Sequence, residues 1–329
     1  MQLQPGVNTI NKINKIPENI NKKTPGLFIW KPARFLKKKT IAIYRKIVVY
    51  FFVLRFKPIL KTRQFKCNRD AKTEVHTLTC HSHLPMYITS IKSLLRFCDE
   101  IAVVTHDDGS LSSTDIKLLE KHIKGVKVIG RRDADVMAAE HLKQFPNCSK
   151  YRDAVLISLQ LFDFMLYSKT GKIIALDSDT LFLRKPKRLI EWILSDNKEI
   201  IHIYEKYPYR QMEFLSKFNY DQPANFCMGF GCYYRDIVDL KTVATVLDKV
   251  DNYDWWLAQN IFAVLIKGRS GEYPAHYFEK SEYQDFNTIK DGAVFRHYWF
   301  NVMFTRPSNG LWDIYLKDAR KVICEISKS

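Results

Sequence analysis

"KIIALDSDTLFLRKP", residues 172–186, is the stretch on which the reading of this chain turns. An apolar run, Ile173 to Leu176, meets Asp177-Ser178-Asp179 and is followed at once by Thr180-Leu181-Phe182-Leu183. A short apolar run bounded in this way suits a strand buried on both faces. If the chain stays extended, alternation sets Asp177 and Asp179 on one side and Ser178 on the other. Two carboxylates held that close repel unless a proton or a cation lies between them. A hard divalent ion, Mg²⁺ or Mn²⁺, accepts such oxygens and keeps positions open for substrate phosphates. Solvated acids in an Asx-turn are the plainer alternative.

Outward from this strand, the sequence alternates. TEVHTLTC (73–80) reads as a strand and PMYITSIKSLLRFC (85–98) as a helix with apolar residues at helical spacing. DEIAVVTHDDGS (99–110) reads as a strand closing in a polar turn, and STDIKLLEKHIKG (113–125) as a helix with a Ser/Thr cap and a terminal Gly. VKVIGRRDAD (126–135) follows as a short strand, and RDAVLISLQLFDFMLYS (152–168) as one long helix. This cadence implies βαβ units and an α/β fold, a Rossmann-type, mostly parallel sheet flanked by helices. Ligands collect at the carboxyl ends of such strands. Three polar clusters fall there and should border one crevice: Cys80-His81-Ser82-His83, Thr105-His106-Asp107-Asp108 and Asp177-Ser178-Asp179.

The chain has 329 residues, 46% of them hydrophobic, enough for a large core. Its net charge of +17 is unevenly placed: residues 1–66 hold sixteen Lys or Arg against one acid, Glu18, while the remainder carries 36 bases and 34 acids. The charge therefore belongs to an appendage, which argues against an extended nucleic-acid face on the α/β part. Residues 1–26 form a low-complexity tail rich in Asn, Lys and Ile, expected to be disordered. Residues 27–66 mix apolar and basic side chains, with an uncharged run of only eight residues, Ile47 to Leu54, too short to span a bilayer. An amphipathic segment lying on an anionic membrane surface is one reading, and packing on protein is the other. Residues 70–329 form the expected catalytic domain. Seven scattered cysteines without a CxxC pair, and no signal-peptide pattern, lead to an expectation of free thiols and a cytoplasmic setting, peripheral to the membrane.

Further candidates follow. Lys150 and Arg152, beside the expected start of the long helix, could bind phosphate. ANFCMGFGCYYRD (224–236) joins Asn225, Gly229 and Gly231 among aromatics, as a loop that a sugar could approach. Asp254 and Gln259 open the apolar helix of DNYDWWLAQNIFAVLI (251–266), Asp254 being equally suited to a cap. VFRHYWFNVMFTR (294–306) offers His297, whose neutral imidazole would complete a site with two carboxylates. A zinc site from His76, Cys80, His81 and His83 lacks a second ligand pair at finger-like spacing.

KIIALDSDTLFLRKP resembles the DxD segment of GT-A-fold glycosyltransferases, with the likeness extending over roughly residues 73–306. That resemblance implies transfer of a sugar from a nucleotide-diphosphate sugar to a glycan or lipid-linked acceptor, with Mn²⁺ or Mg²⁺. By it, His81, His106, Asp107, Asp177 and Ser178 would border the nucleotide. Asp177, Asp179 and His297 would ligate the metal, and Arg296 or Arg306 would hold the diphosphate. Asn225, Asp254 and Gln259 would face the reacting sugars. The family's His-x-x-Gly-x-x-Lys-Pro-Trp string is absent. Two alternatives stand beside this reading. One is a haloacid-dehalogenase-like phosphatase with Asp177 as nucleophile, although Leu181 departs from its first motif. The other is a non-catalytic basic protein that binds membranes.

Overall fold

The computed structural model describes residues 57–205, 208–222, 224–285, 290–299 and 311–328. The expected tail, 1–26, and the stretch 27–56 lie outside the described residues. In chain order the strands are β1 (Phe65–Lys66), β2 (Glu74–Thr79), β3 (Ala102–Asp107), β4 (Ile123–Lys124), β5 (Lys127–Ile129), β6 (Lys172–Leu176), β7 (Thr180–Phe182), β8 (Ile200–Tyr204), β9 (Phe226–Tyr234), β10 (Ala275–Tyr277), β11 (Tyr283–Asp285) and β12 (Phe295–His297). Seven of them form the main sheet in the order β10-β8-β9-β6-β2-β3-β5. The pairs β2/β3, β2/β6, β3/β5 and β8/β10 are parallel, whereas β9 runs antiparallel between β6 and β8. A second sheet, β11-β12-β7, lies just beyond the Asp177–Asp179 turn.

β6 shows why the apolar run needed no polar face. Ile174 and Leu176 belong to one hydrophobic cluster and Ile173 and Ala175 to another, so alternate side chains feed the two layers covering the sheet. At its start Lys172 is buried, and its ammonium donates to the carbonyls of Trp192 (2.6 Å), Ile193 (3.2 Å) and Ser195. These close the helix Lys187–Leu194, where a cation is favoured by the unpaired carbonyls.

Most expected elements are present. The helix Leu84–Leu95 follows β2, and Ser113–His122 follows β3, capped by Ser112 in a reciprocal capping box with Asp115. Three expectations change. The single helix over 152–168 is two, Pro146–Ala154 and Ser158–Tyr167, broken at Val155, whose φ of −132° is extended. The 224–236 loop is mostly β9, a nine-residue strand with almost every side chain buried. Finally, residues 57–66 are part of the α/β body: Ile59 and Phe65 are buried in the core and β1 pairs with β4. Lys92 anchors this stretch by donating to Thr62 (2.8 Å) and to the Arg63 carbonyl (2.5 Å). Among the described residues no helix is long and apolar enough to cross a membrane.

Candidate active site

The site is built on the turn between β6 and β7. The Asp177 N–H donates to the Gly229 carbonyl (3.0 Å), tying the end of β6 to β9. The Asp177 carbonyl accepts from the Thr180 hydroxyl (2.7 Å), which also meets the Ser90 hydroxyl at 2.8 Å. Ser178 donates to Thr79 at 3.2 Å, and the Asp179 carbonyl accepts from the Tyr298 N–H at 3.0 Å. Neighbours from β2, the Leu84–Leu95 helix, β9 and the residue after β12 therefore fix the turn.

β12 lies antiparallel to β7 and sets His297 opposite Thr180. Its Nε2 is 3.4 Å from Asp179 Oδ1 and 3.6 Å from Asp177 Oδ2. One ligand atom from each of the three side chains lies within 4.8 Å of the others. Nδ1 faces the Cys227 sulfur at 3.9 Å. The imidazole lies directly over Gly229, where an added Cβ would come to 2.1 Å from Cε1. Gly229 thus makes room for a histidine.

Charge at this site is unbalanced. Burial and the neighbouring Asp179 raise the Asp177 carboxyl to about 6, against the lowering effects of His297 and a 2.8 Å hydrogen bond from Gln160. Burial disfavours a charged His297, but the Asp179 carboxylate outweighs it and holds the imidazolium well above its ordinary range. A divalent ion would replace those protons. Donors 3.4–3.6 Å apart need to move little to meet an ion bound at about 2.0–2.2 Å. Two carboxylates with a neutral imidazole form a donor set suited to Mn²⁺ or Mg²⁺. The residues therefore fit such an ion.

A cleft of about 240 Å³ opens over this cluster. On one side of β6 its wall comes from the ends of β2 and β3, with Thr79, Cys80, His83 and Asp108. On the other side come Cys227 to Gly229 of β9, Trp255, Trp256 and Gln259 at the start of the helix Leu257–Gly268, and Trp299. No Lys or Arg occurs among the described residues that line it.

No protein-family model matches the chain, and no curated protein matches it. Among solved structures, the galactosyltransferase LgtC, in complex with donor and acceptor sugar analogues, aligns at a TM-score of 0.51 and 13% identity, over 75% of this chain and 95% of that one. The fold is GT-A. Mouse xyloside xylosyltransferase 1 in its apo form aligns at 0.49 and 14% identity, over 70% of this chain and 98% of its own. Core-mannan synthase A from Aspergillus fumigatus, in an Mn/GDP form, aligns at 0.43 and 11% identity, over 67% and 77%.

Within this GT-A frame, the residues singled out in the sequence separate into two groups. Asp177, Ser178, Asp179, Gln259 and His297 line the cleft. Gln259 is held at both ends, accepting from the Met228 N–H (3.2 Å) and donating to the buried Glu205 (2.7 Å). The three strand-end clusters do border one crevice, but through Cys80, His83 and Asp108. His81 is exposed and pairs with Asp115 at 2.8 Å, while Asp107 accepts from the N–H groups of Gly109, Ser110 and Leu111. His106 alternates to the opposite face of β3, buried against His76 at 2.9 Å and Phe164.

Lys150 is exposed within Pro146–Ala154, away from the helix start that the phosphate reading required. Arg152 is buried and pairs with Asp163 at 2.7 Å and Asp135 at 2.8 Å, so its donors are committed. Arg296 is likewise committed to Asp318 at 2.6 Å, and Arg306 lies outside the described residues. Asn225 takes a left-handed turn (φ 53°) just before β9, its carbonyl accepting from the Glu205 N–H. Asp254 is exposed and accepts from the Trp256 N–H at 2.9 Å. It closes an Asx-type turn ahead of the helix, whose N-cap position is Trp256. Gln160 and the tryptophans at 255, 256 and 299 are among the cleft residues that the sequence did not single out. A glutamine inside the apolar SLQLFDF helix was the available signal for the first.

Proposed function

We propose that this chain transfers a sugar from a nucleotide-diphosphate sugar to an acceptor hydroxyl, using a divalent ion held by Asp177, Asp179 and His297. The observation that supports this best is the convergence of those three side chains, from β6 and β12, at the floor of a cleft in a GT-A fold. When bound, the ion would offset negative charge on the leaving diphosphate. The chain's own residues set the rest. Gln160 orients Asp177, and Ser178 on Thr79 fixes the turn. Gly229 admits the imidazole, and Gln259, pinned by Glu205, faces the cleft from the β9 side. Nucleotide binding is expected to be strengthened by the metal.

The phosphatase alternative draws no support from the antiparallel β9 beside β6 or from His297 between the two acids. For residues 27–56 the proposal keeps peripheral binding at an anionic, cytoplasmic membrane face. Salt-sensitive co-sedimentation of the full chain with anionic vesicles tests that part.

Thermal unfolding of the full chain against a panel of nucleotide diphosphates and nucleotide sugars, with Mn²⁺ or EDTA, tests the enzymatic reading. A ligand at a hundred times its dissociation constant stabilises by about 2.7 kcal/mol. The expected result is stabilisation by one nucleotide, greater with metal, and loss of the metal's effect in Asp179→Ala. Folded protein that responds to no nucleotide contradicts the proposal.

A further inference from the structure

The metal cluster occupies the floor of the cleft, and the wall on the β9 side is aromatic. Trp255 is 55% exposed and Leu156 46%, two of the few large apolar side chains open to solvent among the described residues, and both line this cleft. An exposed cluster of this kind at the mouth of a polar site marks a ligand surface. Its parts are held in place. Trp256 lies with the Arg210 guanidinium 5.0 Å from its ring centre and Trp299 at 5.8 Å, tilted by 55°. Trp299 itself sits at φ 51°, a left-handed backbone rare for a bulky side chain and of the kind retained at functional sites. Asp254 pins the turn that bears Trp255 and Trp256 through the Trp256 N–H.

The topology assigns a side to this wall. β2 and β3, whose carboxyl ends a nucleotide would meet, lie on one side of β6, while β9 and the helix behind Trp256 lie on the other. We propose that Trp255, backed by Trp256 and Trp299, is the platform on which a neutral pyranose of the acceptor stacks. This rests on the glycosyltransferase reading and names its acceptor class. A pyranose offers an apolar C–H face to an indole and hydroxyl edges to polar groups such as Gln259. Leu156, Ile157 and Met228 beside the tryptophans make this wall apolar, which suits the C–H face of a neutral ring.

The test is saturation-transfer NMR and calorimetric titration of the full chain with methyl glycosides of neutral hexoses and pentoses, in the presence of Mn²⁺ and the stabilising nucleotide diphosphate. At least one glycoside should bind saturably. Trp255→Ala should weaken it about tenfold, the scale of one lost stacking contact, and Trp255→Phe should stay within about threefold of wild type. The metal-dependent thermal shift by the nucleotide should be unchanged in both variants. A glycoside whose binding ignores Trp255→Ala overturns the proposal. So does protein that binds no glycoside while still responding to nucleotide and metal, or that uses Trp255 for phosphatidylglycerol vesicles instead. Loss of the nucleotide response in wild type would instead sink the underlying reading.

Discussion

Two charge clusters lie within this domain, and they are built to opposite ends. In the first, Arg152 is shared between Asp163 and Asp135, and Arg131 adds a second guanidinium 2.7 Å from Asp135. Two cations meet three anions, Asp153 lying 3.7 Å from Arg152, and the group links the two helices across the break at Val155. In the second, Asp177 and Asp179 converge on His297 at the floor of the cleft, with His83 also near Asp179. The first cluster is finished by the fold. The second opens onto the cleft, where the proposed ion would bind. Two carboxylates held together beside a cleft make the second cluster the one to test for a ligand.

This contrast can be broken most directly by substitution. Asp179→Asn should lower transferase activity about a thousandfold or more, since it removes a ligand and charge at the reacting centre. It should change the melting temperature of metal-free protein little, because the repulsion lost from Asp177 offsets the attraction lost to His297. Arg152→Ala should do the reverse. Leaving Asp163 buried without its partner should cost about 3–5 kcal/mol in denaturant unfolding, with Mn²⁺ affinity of the folded protein unaltered. If the two variants behave alike, the distinction fails.

Gly229→Ala sharpens the same comparison from the packing side. The added methyl would occupy the space of the His297 ring, and Mn²⁺ affinity should fall by about 10–100-fold, as when a ligand's support is lost. A smaller effect follows from protonation. Asp177, raised to about 6, and His297, held protonated by Asp179, must both release protons before they can ligate. Mn²⁺ affinity should therefore tighten as pH rises from 5 to above 7, with proton release visible as a buffer-dependent heat. The sign for metal-free stability is opposite. A carboxyl or imidazole whose folded pKa is raised contributes stability at low pH and loses it as pH rises through that value. The stabilisation gained on adding Mn²⁺ should thus be larger at pH 7.5 than at pH 5.

The two clusters also differ in how far they could be read from the sequence. Asp177-Ser178-Asp179 was legible because the apolar run before it admits one structure, a strand covered on both faces, and so fixes where the acids emerge. Arg152 was misread because its partners, Asp135 and Asp163, are distant in sequence and the helix break between them leaves only a weak local mark. His297 was reachable through chemistry and family resemblance, but its distance from the acids is a property of the second sheet. Asp107, His106 and His81 were placed at the correct strand ends, and alternation and capping then turned them away from the cleft. Gln160 and the tryptophan wall needed the fold itself, since both lie in apolar segments whose periodicity reads as core. Gly229 had a clear sequence signal, a glycine in a buried aromatic run, but its occupant is an imidazole.

The most direct measurement is calorimetric titration of Mn²⁺ into the metal-free full chain at pH 7.5, for wild type and Asp179→Asn, each shown to be folded. The account predicts one site per chain in wild type, tightened by the stabilising nucleotide diphosphate, and no measurable site in the variant. Equal Mn²⁺ binding in both proteins, or none in either with nucleotide present, would contradict it.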